Sequence, residues 1–354
     1  MIVVSYGKDI EKSTTDALVA SDIGEYMKRG MRVSIKPNLV VPGPSGMGAT
    51  THTEVVSGII RFLKDFGIAD IRIIESSWVG DSTKRAFKFC NYEELSALHA
   101  VPLIDLKDDA ATEVEHGGMK FKVCNEALNT DFLINVPVLK AHSQTRLTCC
   151  MKNLKGCIPD NEKRRFHALG LHKPIAALNK AIKTGYCIVD GICGDLSSEE
   201  GGTPVESNRI IAGRNPLTID SYCAELIGYK PEDIEHINQG VALGIGELFS
   251  KDISVVEINT QEKPVRVPKA NRAADRFSSL INEDAACSAC YSSLIYALHK
   301  LHGNRLKSKI HIGQGFCGKG GSGVGVGNCA IGYERNVAGC PPKATDIADM
   351  LRNL

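Results

Sequence analysis

The sequence predicts an α/β fold: a largely parallel sheet covered by helices, with a small Cys-rich module at its C-terminal end. Three observations carry that prediction. Over the first two thirds of the chain, short runs rich in Val and Ile alternate with stretches of helical periodicity. Those runs are apolar on both faces, as strands buried between two helical layers are. After about residue 250 the alternation stops, and Cys287, Cys290, Cys317, Cys329 and Cys340 crowd into the remainder.

Taken in order, residues 32–40 (RVSIKPNLV) read as a buried strand entering a Pro- and Gly-rich loop. Residues 53–67 (TEVVSGIIRFLKDFG) read as a helix, with Gly67 placed to stop it. Residues 69–77 (ADIRIIESS) are the next strand and 86–99 (AFKFCNYEELSALH) a helix. Residues 131–140 (DFLINVPVLK) form a strand, 173–185 (KPIAALNKAIKTG) a helix and 186–194 (YCIVDGICG) a strand. Ligands of such sheets sit beyond the strand C-terminal ends, where Lys36, Asn38, Glu75, Lys140, His142 and Asp190 are expected.

At 354 residues the chain exceeds one ordinary core. Its expected division is an α/β domain over 1–250, a connector over 251–283 and a Cys-rich module over 284–354. Lys plus Arg (42) balance Asp plus Glu (41), which excludes a global basic field for nucleic acid and makes any anion site local. No apolar run approaches a membrane span, and the first residues lack a basic segment followed by an apolar one. A cytoplasmic protein is the expectation.

Thirteen cysteines in such a chain argue for thiols or metal ligands rather than a disulfide framework. Cys90, Cys124, Cys187 and Cys223 lie in apolar surroundings and read as core filler. In the tail, Cys287 and Cys290 form a C-x-x-C that brings two sulfurs to one centre, and Cys329 and Cys340 stand in GNC and GCPP. By count, four thiolates suit zinc or an iron–sulfur cluster equally. Three features favour the cluster, of the four-iron, four-sulfide type: the ligands are dispersed, the intervening loop is Gly-rich, and a Pro follows the last Cys. Cys317 is a fifth thiol that could replace one of the four. The tail's Gly run lacks the Lys-Ser/Thr ending of a phosphate loop and reads as packing around the metal centre. Cys149, Cys150 and Cys157 are candidates for a second centre, in a pattern that is not compelling.

Residues 137–167 are locally basic. Lys140, His142 and His167 are the candidate catalytic groups, since His moves protons near neutral pH and Lys offers a point charge. Lys36, Asn38, Lys152 and Asn153 are the candidate substrate-binding residues. Lys163, Arg164 and Arg165 read as a solvated basic face. Thr51 is either a helix N-cap or a ligand contact, and Asp190 either a site residue or a turn residue.

The motifs K-P-N, T-x-T-E-V-V, I-I-E-S, INVPVLKAHSQT, MKNLKGCIP, K-x-x-FH, IVDGI-x-G and RIIAGRNPLTID, in that order, resemble the family catalogued as "domain of unknown function 362". The resemblance spans most of residues 30–230. It implies iron–sulfur association, with a cluster module appended as in many members from anaerobic bacteria and archaea. The usual tandem ferredoxin pattern is replaced here by C-x-x-C…GNC…GCPP. A fainter similarity, resting on His142, Lys152 and His167, is to the lactate racemase family, whose Lys and His surround a nickel-pincer cofactor.

The expected function is thus an iron–sulfur reductase acting on a small anionic substrate in a Lys/His-rich crevice. A ferredoxin-like electron donor and a homo-oligomer are both compatible with it; nucleic acid and membrane partners are not expected. The alternatives are a non-redox lyase or racemase using the metal as Lewis acid, and an electron-transfer or assembly partner.

Overall fold

Val and Ile at successive positions of short runs form strands whose two faces are both buried, and such strands here build the largest of four sheets among the described residues. The computed structural model describes every residue except 198, 200, 271, 272 and 302–307. The large sheet contains β1 (Ile2–Tyr6), β2 (Arg32–Pro37), β3 (Asp70–Glu75), β4 (Leu103–Asp105), β5 (Phe132–Val136), β6 (Thr184–Asp195), β7 (Pro204–Gly213) and β8 (Val255–Ile258). Their order is β8-β1-β7-β6-β5-β2-β3-β4. Within this sheet, among the described residues, β7 alone runs antiparallel to its neighbours, β6 and β1; the other pairings are parallel.

Alternation along each strand feeds two apolar layers. Val33, Ile35, Ile134 and Ile188 meet the helices Ile10–Ala20 and Thr53–Phe66. Leu133, Cys187, Val189 and Ile211 meet Cys150–Asn153, His172–Ala181 and Pro216–Leu226. In Thr53–Phe66, Val55, Val56, Ile59, Ile60 and Leu63 recur at helical spacing and are fully buried. Gly67 ends that helix at φ 93°. Gly58 lets it cross the first helix closely, for a Cβ there would stand 2.8 Å from the Glu11 carbonyl oxygen.

The strand order reverses between β2 and β5, and at such a point the connections leave in opposite directions and open a crevice at the strand C-terminal ends. Lys36 lies opposite Asn135 and Pro37 opposite Val136 at that edge.

Several elements depart from expectation. The helix expected over 86–99 is two, Thr83–Phe89 and Tyr92–His99, because Asn91 between them adopts the left-handed conformation at φ 60°. The strand expected over 131–140 stops at Val136, and Lys140–His142 instead forms a two-stranded antiparallel ladder with Arg146–Thr148. Segment 251–283 contributes β8 to the large sheet and β9 (Ile281–Glu283) to the small one.

The small sheet continues with β10 (Ile310–Ile312), β11 (Gly320–Val326) and β12 (Gly332–Val337), in chain order and all parallel. Helices Ser288–Lys300 and Ala344–Arg352 cover it through Leu294, Leu298, Ile347 and Leu351. The Gly run is a packing device: a Cβ at Gly325 would stand 1.9 Å from the Ala330 carbonyl oxygen. Gln144, in the turn of the Lys140–His142 ladder, ties the two sheets together, bonding Glu283, the Ala286 carbonyl and the Ser288 hydroxyl. No helix among the described residues is long and apolar enough to cross a membrane.

Candidate functional site

A cavity of about 340 Å³ lies between the C-terminal edge of the large sheet and the Cys-bearing loops of the small one. On the first side stand Lys36, Asn38, Glu75, Lys152, Asn153, Lys155, Lys163, Arg164, His167 and Glu199. Cys287, Cys290, Cys329 and Cys340 stand on the second, and Val40, Val41, Trp78 and Val79 supply an apolar flank.

Lys36 ends β2 and donates to Glu75 Oε2 at 2.9 Å and to the Pro37 carbonyl at 2.8 Å. Glu75 ends β3 and also accepts from the Leu39 and Ser76 amides. Both side chains are at most 3% exposed, so neither charge is met mainly by water. Gly156 is why they can be roofed: a Cβ there would stand 2.2 Å from Glu75 Oε1. Asn153 donates to Asn135 Oδ1 at 2.8 Å and to the Lys36 carbonyl, bridging β2 and β5. Thr51 is not the N-cap, a position His52 occupies. Its hydroxyl accepts from the Asn38 amide and donates to the Val136 carbonyl, each at 2.8 Å, stitching the same two strand ends.

Lys152 is paired with Glu199. Burial pushes the Glu199 carboxyl upward, but Lys152, His142 and Lys140 outweigh it and hold the group well below the usual carboxylate range. Behind Glu199 lie Lys140 and His142, which are buried and do not line the cavity. Lys140 donates to the Ala49 and Glu199 carbonyls. His142 Nδ1 accepts from the Gln144 and Thr145 amides, and Nε2 lies 2.9 Å from Glu199 Oε2, a charge–dipole contact rather than a straight hydrogen bond. Burial and Lys152 depress its pKa to about 4, so the ring is neutral. The two residues expected to face the crevice therefore brace the carboxylate that does, because the chain turns into the ladder after Pro137.

His167 lines the cavity, and its Nε2 is 3.1 Å from Lys155 Nζ. Burial, reinforced by Lys152, lowers Lys155 to about 7; burial and Lys155 keep His167 neutral. Near neutral pH a proton of the pair therefore sits on Lys155, with His167 Nε2 as its acceptor. Lys163 is not solvated: it is buried and donates to the Ser76 and Ser77 carbonyls and to Asp160. Arg164 and Arg165 are exposed, as expected of that face. Asp190 is no turn residue; fully buried in β6, it accepts from both the His52 amide and Nδ1 at 2.8 Å.

On the opposite side, Cys287 precedes the helix Ser288–Lys300 and Cys290 lies in its first turn. Cys329 sits in the turn before β12, and Cys340 precedes Pro341. Cys287, Cys290 and Cys329 are half-buried; Cys317 and Cys340 are exposed. After burial, Cys340 is the largest influence raising the Cys287 thiol, and Cys317, Cys287 and Cys340 all raise Cys329, so these thiols feel one another across one site. Cys317 is hydrogen-bonded to Cys329 but does not line the cavity. Elsewhere, Cys149 and Cys150 come within 4.8 Å of Asp220, the one such trio among the described residues; Cys157 is not part of it. Asp220 caps the Cys150 and Met151 amides there. Cys90, Cys124, Cys187 and Cys223 are buried in the core.

Three wall residues escaped the sequence reading as site residues. Glu199 follows β6 in a Ser-, Glu- and Gly-rich loop with no motif, and only its position after a strand end points to it. Lys155 is one of many local cations, and Trp78 carries no signal beyond following β3.

Comparison with known proteins adds the following. A family profile described as "Domain of unknown function (DUF362)" matches residues 33–225. The Thylakoid-associated protein of Synechocystis sp. is 24% identical over 235 residues, 63% of this chain and 71% of that one. The lactate racemase apoprotein of Thermoanaerobacterium thermosaccharolyticum aligns with a TM-score of 0.41 at 14% identity, over 60% of this chain and 54% of its own. A protein from Thermotoga maritima aligns at 0.35 and 13%, over 52% and 51%. The chain spans about half the length of these two solved structures.

Proposed function

We propose a function on the premise that this chain belongs to the family described as Domain of unknown function (DUF362), whose profile covers residues 33–225. The protein is an iron–sulfur redox enzyme that reduces a small anionic substrate. One observation carries this reading: the lysine-rich end of the sheet and four tail cysteines line the same cavity.

The thiols fit a cluster better than a single zinc ion. Tetrahedral zinc with Zn–S near 2.3 Å needs sulfurs roughly 3.8 Å apart, whereas among the described residues no three tail sulfurs lie within 4.8 Å of one another. A cluster interposes iron and sulfide between its thiolates and needs that wider spacing. Gly327, next to Cys290, takes φ 89°, a backbone conformation that L side chains rarely adopt. Cys287, Cys290, Cys329 and Cys340 would hold the cluster, with Cys317 as a reserve ligand. When bound, the cluster supplies single electrons.

The chain's own residues do the rest. Lys155 and Arg164 attract the anion, and the ion pairs Lys36–Glu75 and Lys152–Glu199 fix the floor on which it sits. Lys155 Nζ and His167 Nε2 hold the proton that reduction consumes. Lys140 and His142 act through Glu199 and are positioning residues.

The Lys155–His167 pair also favours a second reading, a non-redox lyase or racemase that uses the same proton shuttle. Anaerobic reconstitution with iron and sulfide separates the two. About four iron and four sulfide per chain, with a paramagnetic signal appearing on dithionite reduction, is expected. Turnover unchanged after cluster removal would defeat the redox reading; zinc without sulfide would defeat the cluster.

A further inference from the structure

The charges in the cavity are unevenly satisfied. Lys36 is paired with Glu75, Lys152 with Glu199 and Lys163 with Asp160. Among the described residues, Lys155 and Arg164 are the lining cations that no carboxylate pairs. Both lie near enough to Cys287 to work against the rise that burial gives its thiol, so these sheet-side cations face the sulfurs across the cavity. With burial lowering Lys155 to about 7, Lys155 and Arg164 together carry between one and two positive charges near neutral pH, which one negative charge on a ligand offsets.

The remaining flank is apolar and rigid. The Trp78 amide donates to the Val40 carbonyl, and the Trp78 carbonyl accepts from Lys107 Nζ and the Asp81 amide. The indole lies directly against Gly80, where a Cβ would stand 2.2 Å from its six-membered ring. Gly80 backs the ring, and Val40, Val41 and Val79 continue the surface into the cavity. A half-buried indole packed against Gly80 and facing a cavity is a stacking platform.

Resting on the functional reading above, we infer that the ligand is a monoanion with a flat, apolar body. Its ring lies on Trp78 and its anionic end lies between Lys155 and Arg164, beside Cys287. An aryl or conjugated carboxylate has this shape; a bare oxyanion does not use the flank, and a neutral arene does not use the cations.

Trp78 is the single tryptophan of the chain, so its emission reports occupancy directly. The test titrates trans-cinnamate, acetate and cinnamyl alcohol into cluster-free and cluster-loaded protein, by calorimetry and tryptophan emission. Cinnamate is expected to bind on the order of 100-fold more tightly than acetate, from ring burial and stacking, and to change the emission in both forms. Lys155→Met should weaken cinnamate on the order of 10-fold and leave cinnamyl alcohol unchanged. Gly80→Ala, which displaces the indole without touching a charge, should weaken cinnamate and spare acetate; Trp78→Leu read by calorimetry repeats that test if the alanine variant misfolds.

Equal affinity for cinnamate and acetate, or for cinnamate and its alcohol, overturns the inference. So does cinnamate binding that disappears on cluster loading, since the two cations would then serve the thiolates. Cinnamate binding in a protein that takes up no cluster would uphold this inference while the redox reading falls. A cluster that loads beside a cavity indifferent to cinnamate would do the reverse.

Discussion

The two walls of the cavity are built on opposite plans. On the sheet side, Lys36, Asn38, Lys152 and Asn153 are nearly inaccessible, and each is held by carboxylates, amides or carbonyls of its own chain. On the thiol side, Cys287, Cys290 and Cys329 are half-buried and Cys340 is exposed, at a helix start and in turns beside a small core. On the first wall the charges of Lys36, Lys152 and Lys163 are met by carboxylates of the same chain, and among the described residues Lys155 and Arg164 are the cations left facing the cavity. The second presents half-buried and exposed thiols to the same cavity. The two walls thus differ in how far their polar groups are met within the fold, and the difference can be attacked from either side.

The largest effect is expected on the thiol wall. The double substitution Cys287→Ser/Cys290→Ser should abolish iron and sulfide uptake, while the thermal transition of the large sheet stays in place. Elemental analysis and calorimetry check both halves, and collapse of the whole fold would show that the walls are not separable. Next comes Lys36→Met. Stranding Glu75 without its partner should cost about 3–5 kcal/mol in chemical denaturation; adding Glu75→Gln should recover most of it and leave cluster uptake intact.

An acid titration sharpens the contrast further. The His142 pKa falls from 6.5 to about 4 on folding, chiefly through burial. The unfolded chain thus binds a proton first, and stability that is full above pH 6.5 is lost progressively as pH falls to about 4. That loss is on the order of 3 kcal/mol from this ring alone, and His142→Gln should flatten the slope measured by denaturant midpoints. The smallest effect belongs to the outer face: Arg165, largely exposed and paired with Glu162, should change stability by less than about 1 kcal/mol when replaced by Ala.

Much of this frame was legible in the residues. Buried β-branched runs gave the parallel sheet, and its edge located Lys36 and Asn38 because their position follows from strand direction alone. The placement of Lys152, Asn153 and His167 on the cavity followed from basic and polar residues close behind a strand. What could not be read depends on tertiary pairing. Lys140 and His142 turn away because the chain makes an extra ladder, decided by partners at Arg146–Thr148. Lys163 looks like a surface lysine until Ser76, Ser77 and Asp160, distant or local, close around its ammonium. β7 is antiparallel, and no local pattern distinguishes that from a parallel neighbour. Glu199 joins the wall only because a loop after β6 folds back over Lys152.

The position of β1 has a consequence in time. Its residues hydrogen-bond to β7 and β8, so Ile2 finds its partners only once Gly213 and Val255 exist. On a ribosome, the large sheet closes late, after residue 258 has emerged. The tail cysteines emerge later still, so each new molecule has every strand of its large sheet in hand before the thiol wall can fold against it.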